Sequence, residues 1–450
     1  MVIRAAARSA IILTTIAGSL LLSSCGGIKD SLQKSVFYNQ ENPQALQRDT
    51  IDASGTRRSF IDFEEFKANG IVRLAAVESI AGSDSATIAV PAGAVEFASA
   101  FEQPRKLMVP TGFTVDLYAW GLGRARDVVM GENGTIYVSS MDEGKVFAIP
   151  ANGTPVAVAE GLDDPHGMDF ADGSLYFTDE THVYRFTPNT PDGTAGATTL
   201  MTDGIPKGGD FFTRAVRYKM SDKSLYVSVG VPDANGEESD RGYGTVYRIS
   251  KEGAKPSRLL ITGLRNTIGM DIHPVTGDLW GIDEGMDNLA EQLAPEEINI
   301  LTSGGQFGHP YFYSQNFRNS QYLDANPILV PKDPRKPVIE LQPYSAPTDL
   351  EFYDSDAMGA DWKNSMMIVM NGYVFRGVDR PKELRTGFKV MRVRSAKDGS
   401  DARTADVFSG WLQSNGDYWG QPVGITWTND GKTFFVTDER NGVVYRFTRS

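Results

Sequence analysis

From residue 109 to the C-terminus, apolar and polar positions alternate in short runs separated by turn residues, and the runs recur in a fixed order. Phe113, Val115, Leu117 and Ala119 fall on one side of the first run, with Thr114, Asp116 and Tyr118 between them, the period-two pattern of a half-buried strand. After it a three-part unit repeats: a polar entry into an alternating strand, a turn holding Asp, Asn or Gly, and an aromatic-aliphatic strand. The unit lies at 126–149 around Asn133-Gly134, at 166–186 around Asp172-Gly173, and at 213–249 around Asp222-Lys223. It returns at 263–313 across His273-Pro274, at 348–393 with a long insertion, and at 423–447 around Asp430-Gly431.

Six such units, each three or four strands long, predict an all-β chain folded as a six-bladed β-propeller, in which each blade buries a sheet face on the next. Two separate sandwiches would not explain one repeat running through both halves. The strand at 113–119 is left over and the sixth unit is one strand short. The early strand is therefore expected to complete blade six and close the ring, removing two open edges. The 46 Gly and 23 Pro residues supply the turns such a fold needs.

The N-terminus follows a different pattern. Arg4 and Arg8 precede an apolar run at 11–22 and then Leu22-Ser23-Ser24-Cys25, which is the layout of a secretory signal and too short to span a bilayer. Leu22-Ser23-Ser24-Cys25 resembles the bacterial lipobox, and Cys25, the only cysteine, can form no internal disulfide. The expected organisation is a signal peptide at 1–24, a tether and small extension at 25–105, and the propeller at 106–450. The protein is then expected to be lipid-anchored through Cys25 in a bacterial periplasm or outer membrane, touching the membrane only by that anchor. The formal net charge of −13 argues against a nucleic-acid partner and says little about a small neutral substrate.

In a propeller the residues entering the first strand of each blade crowd around one mouth. The repeat places Arg126, His166, Arg214, Arg265 with Asn266, Thr348 and Gln421 around that opening. Such a donor-rich surface suits an anionic or carbonyl-rich ligand, although each of these side chains could instead satisfy loop carbonyls of neighbouring blades. Asp283-Glu284-Gly285-Met286-Asp287, leaving the next strand of blade four, offers carboxylates and backbone carbonyls of the kind Ca²⁺ takes. The acidic loop at 232–240 has a similar composition and could hold a structural ion or none.

Arg265-Asn266, Glu284-Gly285, Glu297-Ile298-Asn299 and the run from Gly304-Gly305 to Pro310 resemble the signature of the glucose/sorbosone dehydrogenase family. Similarity extends from about residue 109 to the C-terminus. The resemblance implies a six-bladed propeller using pyrroloquinoline quinone (PQQ) and Ca²⁺ to oxidise a sugar, aldose or sugar-derived aldehyde. It also implies roles for single residues. Arg265 would polarise the reactive quinone carbonyl, Asn266 would bond the same cofactor edge, and Glu284, Gly285 and Met286 would hold the Ca²⁺. The family's base is a histidine, and here Phe211 stands at its place. Asp210, one residue away, is one candidate substitute, since a carboxylate of raised pKa can do the same work; His166 on the adjacent blade is the other. Ile268 replaces a Gln, Gln421 and Val423 stand where arginines bind the quinone carboxylates, and His309 replaces an aromatic. Those losses keep open a second expectation, a non-redox propeller binding a glycan, peptide or protein at the same mouth. A lactonase-type propeller would explain the acidic loop but not Arg265-Asn266.

Overall fold

The computed structural model describes residues 47–51, 57–61, 74–80, 82–234, 242–253, 255–258, 261–286, 294–372, 374–375, 378–379, 382 and 385–450. The signal segment, Cys25, most of the tether, Asp287 and most of the acidic loop at 232–240 lie outside these residues.

Among the described residues the strands form the six blades the repeat predicts. The innermost strands are Ala125–Met130, Met168–Ala171, Val216–Lys219, Thr267–Ile272, Pro347–Tyr353 and Pro422–Trp427, for blades one to six. The second strands, such as Ile136–Ser140, Ser174–Thr178 and Leu279–Asp283, are buried along their whole length in five of the six blades. They lie between two neighbouring sheets, which is why they read as continuous apolar runs rather than as strict alternation. Aromatic rings fill the gaps between blades: Tyr137 stacks on Phe170 at 5.6 Å, Tyr176 on Tyr218 at 5.4 Å and Tyr353 on Phe434 at 5.6 Å.

The ring closes as expected. Phe113–Trp120 pairs antiparallel with Val443–Arg449, so the outer strand of blade six comes from the front of the repeat. A bidentate ion pair fastens it, with Arg446 Nε and Nη2 at 3.0 and 2.7 Å from the Asp116 carboxylate. The preceding residues also dock on the propeller. Ala76–Val77 adds a parallel strand to blade five, and Glu78 accepts from both Arg392 and Arg394 at 2.6 Å. Ile88, Ala94, Ala98 and Phe101 are buried against blades five and six.

A second set of bonds joins blade to blade around the central channel. The carboxylates of Asp127, Asp169, Asp271 and Asp349, on the inner strands of blades one, two, four and five, accept from the backbone N–H of Met168, Tyr218, Phe352 and Ile425 on the next blade, at 2.6–2.9 Å. Arg217, on the inner strand of blade three, donates to Met168 O at 3.0 Å and to Glu351 at 2.7 Å, with Asp271 and Asp349 within 3.7 Å. One guanidinium therefore balances several buried carboxylates. Burial pushes the Asp271 carboxyl up to about 6 and that of Asp349 up to about 7, with Arg217 opposing both.

Candidate functional site

An open cavity lies at the mouth. Arg124 and Arg126 line one side, Asp210, Phe211 and Phe212 another, and Asn266 and Glu284 a third, with Thr348 and Asn371 between. The lining combines charged and amide groups with two phenylalanines, Phe211 against Arg265 and Phe212 at 5.5 Å from the His166 ring.

Blade four supplies the most tightly built part. Asp283 ends the second strand, and its carboxylate accepts from the backbone N–H of Arg265 and of Asn266 at 2.8 Å and from Thr267 Oγ1 at 2.9 Å. That carboxylate shapes the turn that presents Arg265 and Asn266, although burial pushes its pKa up against those donors. Glu284 follows it, and its carboxylate takes the Asn266 amide at 2.8 Å. Arg265 Nη1 donates to Gly285 O at 2.8 Å and more weakly to Glu284 O at 3.5 Å, while the Phe211 ring lies 4.5 Å from the guanidinium. Gly285 has no room for a side chain, because a Cβ would meet Ala294 O at 2.5 Å, and its N–H is held by Glu296 at 2.8 Å. Met286 is buried, with Asn319 Nδ2 at 3.5 Å from its sulfur.

The other expected residues separate into levels. Arg126 and Thr348 reach the mouth, Arg126 lying 3.6 Å from Glu439 and Thr348 Oγ1 donating to Val423 O at 2.7 Å. His166 and Arg214 line a narrower chamber below, together with Asp127 and Asp349. Arg214 spends its guanidinium on Phe211 O, Thr213 O and Pro206 O, and burial lowers it to about 10. His166 is 1% exposed with neither ring nitrogen bonded, and burial together with Arg126 holds it well below the ordinary histidine range. Gln421 is not in the lining of the mouth cavity; its amide lies 3.3 Å from Asn371 Oδ1. Asp210 lines the mouth beside Phe211, and its carboxylate accepts from Ala234 N at 3.3 Å.

Glu439 is important to the mouth and absent from the sequence-based expectation. Glu439 accepts from Arg124 at 3.0 Å and from Asn371 at 2.9 Å, so one carboxylate fixes two arginines and an amide. The signal for it was present, because an Asp-Glu pair ends the second strand at Asp179-Glu180, Asp283-Glu284 and Asp438-Glu439. Asp179 and Asp438 cap their own turns, Asp283 caps the Arg265 turn, and each following Glu binds another segment: Glu180 takes Gly208 N, Glu284 takes Asn266 and Glu439 takes Arg124. Among the described residues no three His, Cys, Asp or Glu side chains stand together as a metal cluster. Any cation here would have to draw on backbone oxygens as well.

The propeller recurs in solved structures. The holo form of the pyranose dehydrogenase PQQ domain from Coprinopsis cinerea aligns over 76% of this chain and 97% of its own, at 18% identity and a TM-score of 0.61. A calcium structure of a Trichoderma reesei enzyme of carbohydrate-active family AA12 aligns over 76% and 96%, at 17% identity and a TM-score of 0.61. By sequence, an uncharacterized protein of Borreliella burgdorferi is 24% identical over 356 residues, covering 76% of this chain and 90% of its own. The glucose/sorbosone dehydrogenase family matches residues 174–407, more than half the chain and the span that contains Arg265, Asn266, Glu284 and Gly285. On that match, over a six-bladed scaffold, the chain belongs to the glucose/sorbosone dehydrogenase family.

Proposed function

We propose that this chain is a sugar or aldose dehydrogenase of the sorbosone type that uses PQQ with Ca²⁺ and is held in a bacterial periplasm by a lipid on Cys25. The observation that carries the proposal is the hydrogen-bonded unit of Arg265, Asn266, Glu284 and Gly285 at the edge of a cavity floored by Phe211 and Phe212. The donor set fits the two absent groups. The carbonyls of Glu284 and Gly285 converge on a positive charge, at present the guanidinium, and a carboxylate stands beside them. Oxygens of this kind are what a hard cation takes. Arg265, Asn266 and Arg126 would then hold the quinone.

When bound, the quinone would accept hydride from the sugar, assisted by the cation. The chain's own part is to position and deprotonate. Phe211 and Phe212 give the sugar ring an apolar face and exclude water from one side. Asp210, beside them, takes the proton of the reacting hydroxyl or hydrated aldehyde. Arg265 and Asn266 orient by donation from the opposite wall. Protein reconstituted with PQQ and Ca²⁺ is expected to reduce an artificial electron acceptor when offered aldoses. PQQ binding should be saturable and lost in Arg265→Ala. No quinone retention and no turnover across an aldose panel would overturn the proposal.

A second reading, a non-redox receptor for a glycan, peptide or protein, is favoured by one specific feature. The Phe211 ring covers the guanidinium that would have to meet a quinone, and Glu439 already occupies Arg124 and Arg126. A tight glycan complex that excludes PQQ would establish this reading in place of the first.

A further inference from the structure

Arg126, His166 and Arg214 line the narrow chamber below the mouth, which has room for an occupant about the size of one water. They arrive on three consecutive blades: Arg126 within the inner strand of blade one, His166 and Arg214 two residues ahead of those of blades two and three. Each brings donors that the described residues leave unused. His166 is 1% exposed, and neither ring nitrogen is bonded. Arg214 is 2% exposed; its Nη atoms go to backbone carbonyls, and its Nε–H has no acceptor. The acid that acts on it most, Glu180, is already taken by Lys207 at 3.4 Å and by Gly208 N at 3.0 Å. Among the described residues Arg126 makes no side-chain hydrogen bond and stands 3.6 Å from Glu439.

We infer that this chamber is a binding site for a small monovalent anion, chloride by size and charge, held by Arg126, His166 and Arg214. A buried cation without a counter-charge is costly, and buried donors nearly always find an acceptor. A water would meet the donors but not the charge. Around the imidazole the charges that act are all positive: after burial, Arg126, Arg214 and Arg124 push its pKa down, and no carboxylate opposes them. The two acids of the chamber, Asp127 and Asp349, have both oxygens bonded to backbone N–H groups at 2.6–2.9 Å. Burial raises the pKa of both, which weakens their repulsion of an anion. Ile268 and Val423 line the chamber from blades four and six without adding charge. An anion here accepts from the two guanidinia and from the one N–H that a neutral imidazole carries. It thereby joins the entries of blades one, two and three at a single point.

The test needs neither quinone nor sugar, and its outcome is separate from the proposed activity. The chain holds 4 histidines, so their imidazole signals are resolvable by ¹⁵N NMR, and that of His166 is assigned by its loss in H166Q. Sodium chloride is titrated against sodium gluconate at constant ionic strength, gluconate being too large for the chamber. The His166 signal is expected to shift to saturation with chloride, while that of the partly exposed His182 stays still. In R126Q, which keeps the reporter, chloride affinity should fall roughly tenfold or more, the factor one hydrogen bond to a charged group is worth. If H166Q does not fold, bromide soaked into wild-type crystals answers without a variant: its anomalous signal should lie within bonding distance of His166 and Arg126. No saturable shift, an unchanged affinity in R126Q, or bromide at the protein surface only overturns the inference.

Discussion

Phe211 governs the mouth by where its ring lies. It sits over Arg265 at 4.5 Å, an arrangement worth about 0.5–2 kcal/mol when partly desolvated, so the guanidinium is held down as well as hydrogen-bonded. Replacing the ring by an imidazole is expected to weaken this roof and add a base within reach of the same cavity. F211H should therefore raise turnover with PQQ, Ca²⁺ and aldoses relative to wild type in a dye-reduction assay, and no gain would place the base elsewhere. Asp210→Asn should lower the same turnover roughly 10²- to 10⁴-fold, the range general-base removal produces, with little change in thermal stability. At this scale the sequence was legible in part. Arg265, Asn266 and Glu284 stood out by type and spacing, and the structure gathers them. Arg214 and His166 have the same types at equivalent repeat positions but end in a lower chamber, because repeat register fixes which strand a residue enters and not how deep its side chain reaches. The role of Glu439 is not legible in the sequence because its partners, Arg124 and Asn371, lie 315 and 68 residues away along the chain.

The elements around the mouth owe their positions to backbone constraints that composition does not reveal. The loop at 284–286 is pinned by Glu296 from below and Arg265 from above, and Gly285 faces the Ala294 and Pro295 carbonyls with no space for a methyl group. Gly285→Ala should displace the loop, so a Ca²⁺ titration followed by calorimetry is expected to show weakened binding while the melting temperature falls by only a few degrees. The second strands were readable as apolar runs and the turns as Asn-Gly or Asp-Gly, which is why the blades appear where the repeat put them. The segment at 74–105 was not readable in this way. Its apolar residues, Ile88, Ala94, Ala98 and Phe101, follow no single period, since they are spread over two short 3₁₀ turns and the links before and between them. Phe101 packs edge-on against Trp419 at 6.1 Å and Tyr445 at 6.3 Å. Phe101→Ala is therefore expected to cost about 3–5 kcal/mol in urea unfolding, the usual cost of emptying an aromatic core site.

For the molecule as a whole, the channel carboxylates tie stability to pH. Asp349 and Asp271 hold their protons more tightly in the fold than in an unfolded chain, where Asp titrates near ~3.9. Their contribution is complete below that value and is lost as pH rises through about 6 and about 7. Buried His166 and His309 act in the opposite sense: their folded values are depressed, so their contribution is lost as pH falls below the unfolded histidine value of ~6.5. Asp349→Asn removes one carboxylate but keeps an acceptor for Ile425. The fall in melting temperature between pH 5 and pH 8 should be smaller in this variant than in wild type, and equal slopes would show that Asp349 is already ionised at pH 5. The six-blade count and the closing strand were both legible because they follow from a repeat. The stitches between blades were not, since nothing local distinguishes an Asp that bonds the next blade from one that faces water.

The pairing of Phe113–Trp120 with Val443–Arg449 also orders events in time. Asp116 and Arg446 are 330 residues apart, so the first strand of the ring waits without its blade-six partner until residues 443–449 have been made. Contacts of such separation slow folding and leave an edge open to other chains meanwhile. A nascent chain of this protein is thus most exposed to mispairing just before residues 443–449 emerge. A copy shortened by that final strand would keep five complete blades and an adhesive edge where the sixth should have closed.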